Sequence, residues 1–305
     1  MKIRIGAGPV VEDGARPDDS GLAGLAAGAE ERGIDSIWLS DLASAPHMVD
    51  PLVGMAYAAG RTERLKLGTG VLVLPGRNPA IVAAQLAGLA ALAPRRILPV
   101  FGVRPARRAD RPLFAVPGGR RAEVFEEALR VVRALLTEPV VTHHGTFFHL
   151  DEASVAPLPA KPLDLWLGGR IPVAMDRVGR LADGWLGSNV TPAEAGACRA
   201  LIERAAARAG RAVDDDHYGT NLAVVLDGTD ERLVDLLRAQ IARTRPDLDD
   251  PDALLCRGWD ALRAQLGRYA DEGLSKFVVR PAGPVRSRAE FLDAFAAELL
   301  PLENR

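Results

Sequence analysis

Asp41 and His47 are the residues of this chain best suited to orienting a ligand and moving a proton. Asp41 follows the apolar run SIWLS (36–40), and a carboxylate there can either fix the polar edge of a ligand or cap the next segment. His47 follows in the same loop; an imidazole titrates near neutral pH and can transfer a proton there, although a lone loop histidine can also be purely structural. Other short apolar runs end in small or polar residues as well: Gly8; Ser40; Thr69, Gly70 and Val71; Gly102, Val103 and Arg104; Gly168, Gly169 and Arg170; Gly187, Ser188 and Asn189; and Arg280. Glycine lets a flat ligand approach the backbone closely, but glycines also simply end strands. Gly168-Gly169-Arg170 stands just before Pro172, where a helical pattern opens. Free amides, a helix N-terminus and a cation together make an anion site, unless Arg170 is only a solvated charge.

Arg104, Arg107, Arg108 and Arg111 form a basic loop that could guide a polyanionic tail or substrate. His143, His144 and His149 resemble a metal cluster at first sight, but adjacent strand residues point to opposite faces and no carboxylate stands at helical spacing beside them. No metal site is expected. Asp214-Asp215-Asp216 reads as a solvated turn. Neither a G-x-S-x-G, an S-x-x-K nor an H-E-x-x-H motif occurs, so the common hydrolase signatures are silent.

The elements that must position these residues repeat. Apolar runs rich in Val, Ile and Leu cover 3–8, 36–40, 65–75, 96–102, 164–169, 184–188, 218–226 and 276–281. Most are continuously apolar, as suits parallel strands covered on both faces. Between and after them lie helical patterns over 22–32, 51–61, 79–93, 121–136, 172–182, 193–208, 230–242, 259–271 and 288–299. Asp50-Pro51, Asn78-Pro79 and Thr191-Pro192 each place a capping side chain before a proline, and Thr191 with Glu194 spells a capping box. Eight strands, each followed by helical pattern, predict an α/β fold, a (β/α)8 TIM barrel over residues 1–305 as one domain, with an inserted hairpin around 137–163. In such barrels the active site lies at the C-terminal ends of the strands, where the residues above converge. An open dinucleotide-binding sheet is excluded: Gly6-Ala7-Gly8 lacks the third glycine of its fingerprint.

With 305 residues, 48% hydrophobic and 26% charged, the chain can build one sizeable core and is neither disordered nor fibrous. A net charge of −2 and only 5% aromatic residues argue against a nucleic-acid partner. The apolar stretch from Ile81 to Leu92 is too short to span a bilayer, and the N-terminal residues turn polar too soon for a signal peptide. Cys198 and Cys256 belong to no paired motif. A cytoplasmic protein without disulfides is expected.

Several segments together resemble the luciferase-like monooxygenase superfamily. They are ERGIDSIWLSD (31–41), DPLVGMAYAAGRTERLKLGTGVLVLPGRNPAIVAAQLAGLAAL (50–92), RAEVFEEALRVVRALL (121–136), PLPAKPLDLWLGGRIPVAMDRVGRLADGWL (157–186) and YADEGLSKFVVRP (269–281). The compact chain and its G-G-R are most similar to the branch that uses the deazaflavin coenzyme F420. The resemblance implies an F420-dependent oxidoreductase acting on a small organic substrate, with Thr69, Gly70 and Val71 along the deazaflavin face and Gly102 and Val103 as the adjoining wall. Gly168, Gly169 and Arg170 would hold the phosphate end, with Gly187 and Ser188 completing the cofactor site. It also implies a non-prolyl cis peptide at Gly70–Val71. Asp41 would fix polar groups near the reacting centre, and His47 would be the proton donor. The resemblance also implies an Asp-His or Glu-His pair after the second strand, the usual pattern of the family, whereas here Leu42 follows Asp41. The alternatives are an FMN-dependent monooxygenase served by a separate flavin reductase, or a flavin-binding protein without turnover. A homodimer is expected by analogy.

Overall fold

The computed structural model describes residues 2–304. Its strands are β1 (Arg4–Ala7), β2 (Ser36–Leu39), β3 (Lys66–Thr69), β4 (Leu72–Val73), β5 (Ile97–Leu98), β6 (Val100–Gly102), β7 (Val141–His144), β8 (His149–Ala153), β9 (Trp166–Gly168), β10 (Gly184–Ser188), β11 (Tyr218–Val225), β12 (Leu255–Arg257) and β13 (Lys276–Pro281). The helices are α1 (Leu22–Glu31), α2 (Pro51–Ala59), α3 (Pro79–Leu92), α4 (Arg121–Thr137), α5 (Pro172–Leu181), α6 (Pro192–Arg208), α7 (Glu231–Thr244), α8 (Gly258–Asp271) and α9 (Arg288–Leu299). Each apolar run of the sequence becomes a strand, and each helical pattern a helix.

The strands close into a ring. β1 pairs in parallel with both β13 and β2, and the ladder continues from β2 to β3 and β5. On the far side it runs β4, β6, β9, β10, β11 and β13. β3 with β4, and β5 with β6, are two staves each interrupted once, so eight parallel staves make a (β/α)8 barrel. The first break is the Gly70–Val71 peptide, which is cis. Two features lie outside the ring. The three-residue β12 adds to β11 outside the ring, and β7 pairs antiparallel with β8 in the expected hairpin, which turns through Gly145.

Helix starts follow the predicted chemistry. The Asp50 carboxylate accepts the amides of Leu52 and Val53 at 2.9 and 3.2 Å, and Asn78 Oδ1 accepts those of Ala80 and Ile81. Thr191 and Glu194 close their capping box in both directions. The main core lies between staves and helices. A separate cluster fills the barrel interior: Trp38, Val100, Trp166, Leu186 and Val278. Glycines in the strands make room for it. A Cβ on Gly6 or Gly68 would overlap the Trp38 indole, and one on Gly184 would overlap Trp166. Strand glycine here is therefore a packing requirement of two large interior rings.

Candidate active site

Side chains alternate along each stave, and the interior cluster marks which parity faces inward. Continuing it toward the C-terminal ends gives Gly8, Ser40, Gly70, Gly102, Gly168, Ser188, Asn221 and Arg280 around the mouth. Val71 joins them from the break between β3 and β4. Its isopropyl group reaches across to β6 and β9: a Cβ on Gly102 would overlap Val71 Cγ2, and one on Gly168 would lie 3.0 Å from Cγ1. Gly70 is different. A Cβ there would meet nothing nearer than 3.9 Å, where Asn221 Oδ1 and the Trp38 ring lie. The floor of the mouth is thus Val71 on a glycine bed, with open space over Gly70.

This floor is tied from behind. Ser40 Oγ donates to the Gly70 carbonyl at 3.1 Å, and the Asp41 amide donates to the Val71 carbonyl at 3.2 Å. The Asp41 side chain points outward from the ring and is only 3% exposed. It accepts the Val73 amide and Arg77 Nη2, both at 3.0 Å. Burial pushes the Asp41 carboxyl above the ordinary aspartate value, against the opposing pull of Arg77 and the Val73 amide. Arg77 also reaches Asp50 at 3.1 Å and lies over the Phe114 ring. A cavity of about 480 Å³ lies beside this group, lined by Asp41, Met48, Asp50, Gly76, Arg77 and Phe114 among others. The segment after β6 folds over the segment after β2. Fully buried Asp110 accepts the Ser44 amide at 2.8 Å, and Phe114 backbone lies against Gly76, whose φ is +98°. Gly76 must be glycine on both counts.

His47 stands at the other edge of the mouth with Trp38, Ser40, Pro9 and Ser20, around a crevice of about 30 Å³, room for a water and little more. Its Nδ1 lies 3.1 Å from the Asp19 carbonyl and its amide donates to Pro17. Thr69 is buried and faces away from the mouth, its hydroxyl bonded to both the carbonyl and the amide of Val100 at 2.8 Å. Val103 packs against the main core. Gly187 faces Trp185 and Val190, and its carbonyl accepts Asn221 Nδ2 at 3.1 Å. Ser188 is exposed at the rim.

Gly169 has φ +131°, a conformation open to glycine alone, and its carbonyl accepts Trp185 Nε1 at 2.8 Å. α5 begins just beyond with no side-chain cap. Arg170 Nη2 donates to the Thr244 carbonyl at 2.8 Å, and Nη1 lies 3.9 Å from Asp247. The fully buried Arg245 joins Asp247 to Glu194. Arg104, Arg107, Arg108 and Arg111 are exposed; Arg104 and Arg111 lie close enough to Arg121 to add to the lowering of its pKa by burial. His143 and His144 face Glu127 and Asp151 at 3.3 and 2.6 Å. Cys198 and Cys256 are free, and burial pushes both thiols up to about 11, which keeps them protonated and unreactive. No helix among the described residues is long and apolar enough to cross a membrane.

Arg77, Asp110 and Asn221 lay outside the candidates of the sequence. Asn221 carried one signal, a carboxamide within the otherwise apolar run 218–226; the other two carried none, since their partners are distant in the chain.

A model of the luciferase-like monooxygenase family matches residues 6–296. The chain belongs to that family. It is 34% identical over 172 residues to an F420-dependent glucose-6-phosphate dehydrogenase of Kineococcus radiotolerans, a match that covers 54% of this chain and 51% of the relative. The chain thus spans about half the length of that relative. The enzyme of the same name from Intrasporangium calvum is 27% identical over 90% of this chain and 91% of its own. Among solved structures, an F420-dependent secondary alcohol dehydrogenase in complex with an F420-acetone adduct superimposes with a TM-score of 0.82 at 21% identity, covering 100% of both chains. At that identity the likeness speaks for the fold.

Proposed function

We propose that the protein is an F420-dependent oxidoreductase that moves hydride between the deazaflavin and a small organic substrate at the C-terminal mouth of the barrel. The observation that carries this reading is the floor itself. Gly102 and Gly168 give up side chains so that Val71 lies low, and the space over Gly70 is left clear for a flat ring system. The adjoining Gly168-Gly169-Arg170 turn and the uncapped start of α5 offer amides and a guanidinium to an anionic tail. The names of the relatives point the same way.

When bound, the deazaflavin accepts or supplies hydride; it carries the difficult chemistry. The protein's residues place and protect it. Ser40 and the Asp41 backbone hold the Gly70 and Val71 carbonyls, and the Asp41 carboxylate fixes β4 through Val73. Asp41 is then a positioning residue, not the ligand contact that the sequence led us to expect. His47 borders the mouth and is the candidate proton donor.

Titration of the purified protein with F420 and with FMN, followed by fluorescence, tests the reading. Tight F420 binding and substrate-dependent reduction of F420 are expected. FMN binding alone, with a C4a oxygen adduct once a reductase supplies reduced FMN, would assign a monooxygenase instead. Binding without hydride exchange, unchanged in His47→Ala, would leave a carrier without turnover. We further propose a homodimer through α2 and α3, whose outer faces expose Val53, Tyr57, Ile81 and Leu92.

A further inference from the structure

The charged groups of the mouth differ in how they are satisfied. Arg77 is held by Asp41 and Asp50, Arg170 by the Thr244 carbonyl beside Asp247, and Arg245 by Glu194 and Asp247. Arg280 is not. Its Cβ lies 2.9 Å from where a Cβ on Gly8 would stand, so its side chain starts inside the ring. It remains open to the mouth, yet its one hydrogen bond in the protein goes to the Pro281 carbonyl at 3.3 Å. It joins no ion pair among the described residues. The side chain is exposed to the mouth, and desolvation by the protein around that mouth draws its pKa below the usual arginine value. A guanidinium that faces a concave mouth without an ion-pair partner is free to pair with an anion that enters it.

Asn221 lies on the neighbouring stave. Its Nδ2 is spent on the Gly187 carbonyl, which leaves Oδ1 directed over Gly70, the accepting end of the amide. In the ladder Arg280 is level with Ala223, two residues beyond Asn221, a rise of about 7 Å toward the rim. A deep acceptor and a shallow cation therefore face the same space.

We infer that the substrate is an alcohol bearing an anionic group, carboxylate or phosphate, lying on the mouth side of the ring that covers Gly70, with the anion gripped by Arg280 and the hydroxyl donating to Asn221 Oδ1 at the edge of that ring. This rests on the proposed hydride transfer. Oxidation breaks the carbinol C–H and O–H bonds and forms C=O; the hydride goes to the deazaflavin and the proton to water at the open mouth.

The F420-loaded protein is assayed for F420 reduction with a neutral secondary alcohol, a hydroxycarboxylate and a sugar phosphate. An anionic alcohol should show a KM at least about tenfold below that of the neutral one. Whichever anion wins distinguishes carboxylate from phosphate. Arg280→Gln should erase that preference by raising KM, with F420 affinity unchanged, and Arg280→Lys should restore part of it. Asn221→Ala should act mainly on kcat. Equal use of neutral and anionic alcohols overturns the inference, as does a matching loss of F420 affinity in Arg280→Gln, which would make Arg280 a cofactor contact. A second measurement does not depend on the cofactor. Inorganic phosphate or acetate should raise the Tm of the protein without F420, and Arg280→Gln should diminish the rise, the remainder belonging to the Gly168-Gly169-Arg170 turn; a rise of undiminished size in the variant overturns the assignment even if F420 binds. Absence of F420 binding together with an Arg280-dependent rise sinks the cofactor reading alone.

Discussion

Replacing Gly102 with alanine tests the packing on which the site depends. The new methyl would overlap Val71 Cγ2, whereas carbon atoms rest about 3.5–4.0 Å apart. The Phe101 and Gly102 backbone is held in the ladder with β4, so relief must come mostly from Val71, whose side chain can move only upward into the mouth. Such overpacking costs about 1–3 kcal/mol. Val71→Ala alone removes two half-buried methyl groups and costs about 1 kcal/mol. In the double variant the clash has no partner, so the two penalties should fail to add by about 1–2 kcal/mol. Urea denaturation of the four proteins measures this coupling. F420 fluorescence titration measures its consequence: an affinity loss on the order of tenfold in Gly102→Ala, partly recovered in the double variant. Gly168→Ala should be milder, because its methyl would stand 3.0 Å from Val71 Cγ1. Strictly additive stabilities would refute the reasoning, since they would mean that Val71 does not rest on Gly102.

Asp41→Asn should destabilise the fold by about 1–3 kcal/mol by urea denaturation and weaken cofactor binding, because the one oxygen that accepts both the Val73 amide and Arg77 loses its negative charge. Glu127 should show a pH signature: against the upward push of burial, the amides of Phe147, Phe148 and Thr146 and the His143 ring hold its pKa below 4.5. Its stabilising share is therefore fully present above pH 4.5 and lost as pH falls through the lower folded value, so the stability gap between wild type and Glu127→Gln should shrink below pH 4.5 in denaturation series. Leu92→Glu places a charge on the apolar face of α2 and α3 and should convert a dimer to a monomer in size-exclusion chromatography, with the fold intact by circular dichroism.

The staves and helices were readable because each is long enough to carry its period, and because Asp50, Asn78 and Thr191 announce helix starts by local chemistry. β12 was not, since three residues carry no period. The Gly-rich strand ends were recognised as a group, but their separate tasks depend on parity. Gly102 and Gly168 seat Val71 while Gly187 turns to the outer wall, and no single sequence states where an interrupted stave changes face. Thr69 shows the same limit: it adjoins Gly70 in sequence but faces Val100. Asp41 was visible as a strand-end carboxylate; its grip on Arg77 spans 36 residues and emerges only when two loops meet. In the sequence Arg170 stands as a cation beside free amides, and only folding brings the Thr244 carbonyl and Asp247 to it. Asn221 was hidden by its neighbours, since an apolar run suggests burial on both sides.

The rim is divided between two arcs, glycines alone on the staves from β3 to β9, and from β10 around to β2 the polar side chains of Ser188, Asn221, Arg280 and Ser40 with Gly8 among them. Replacements confined to one arc leave the backbone of the other untouched. A lineage built on this scaffold can retailor its appetite for small molecules by exchanging a few inward groups while inheriting its redox companion unaltered.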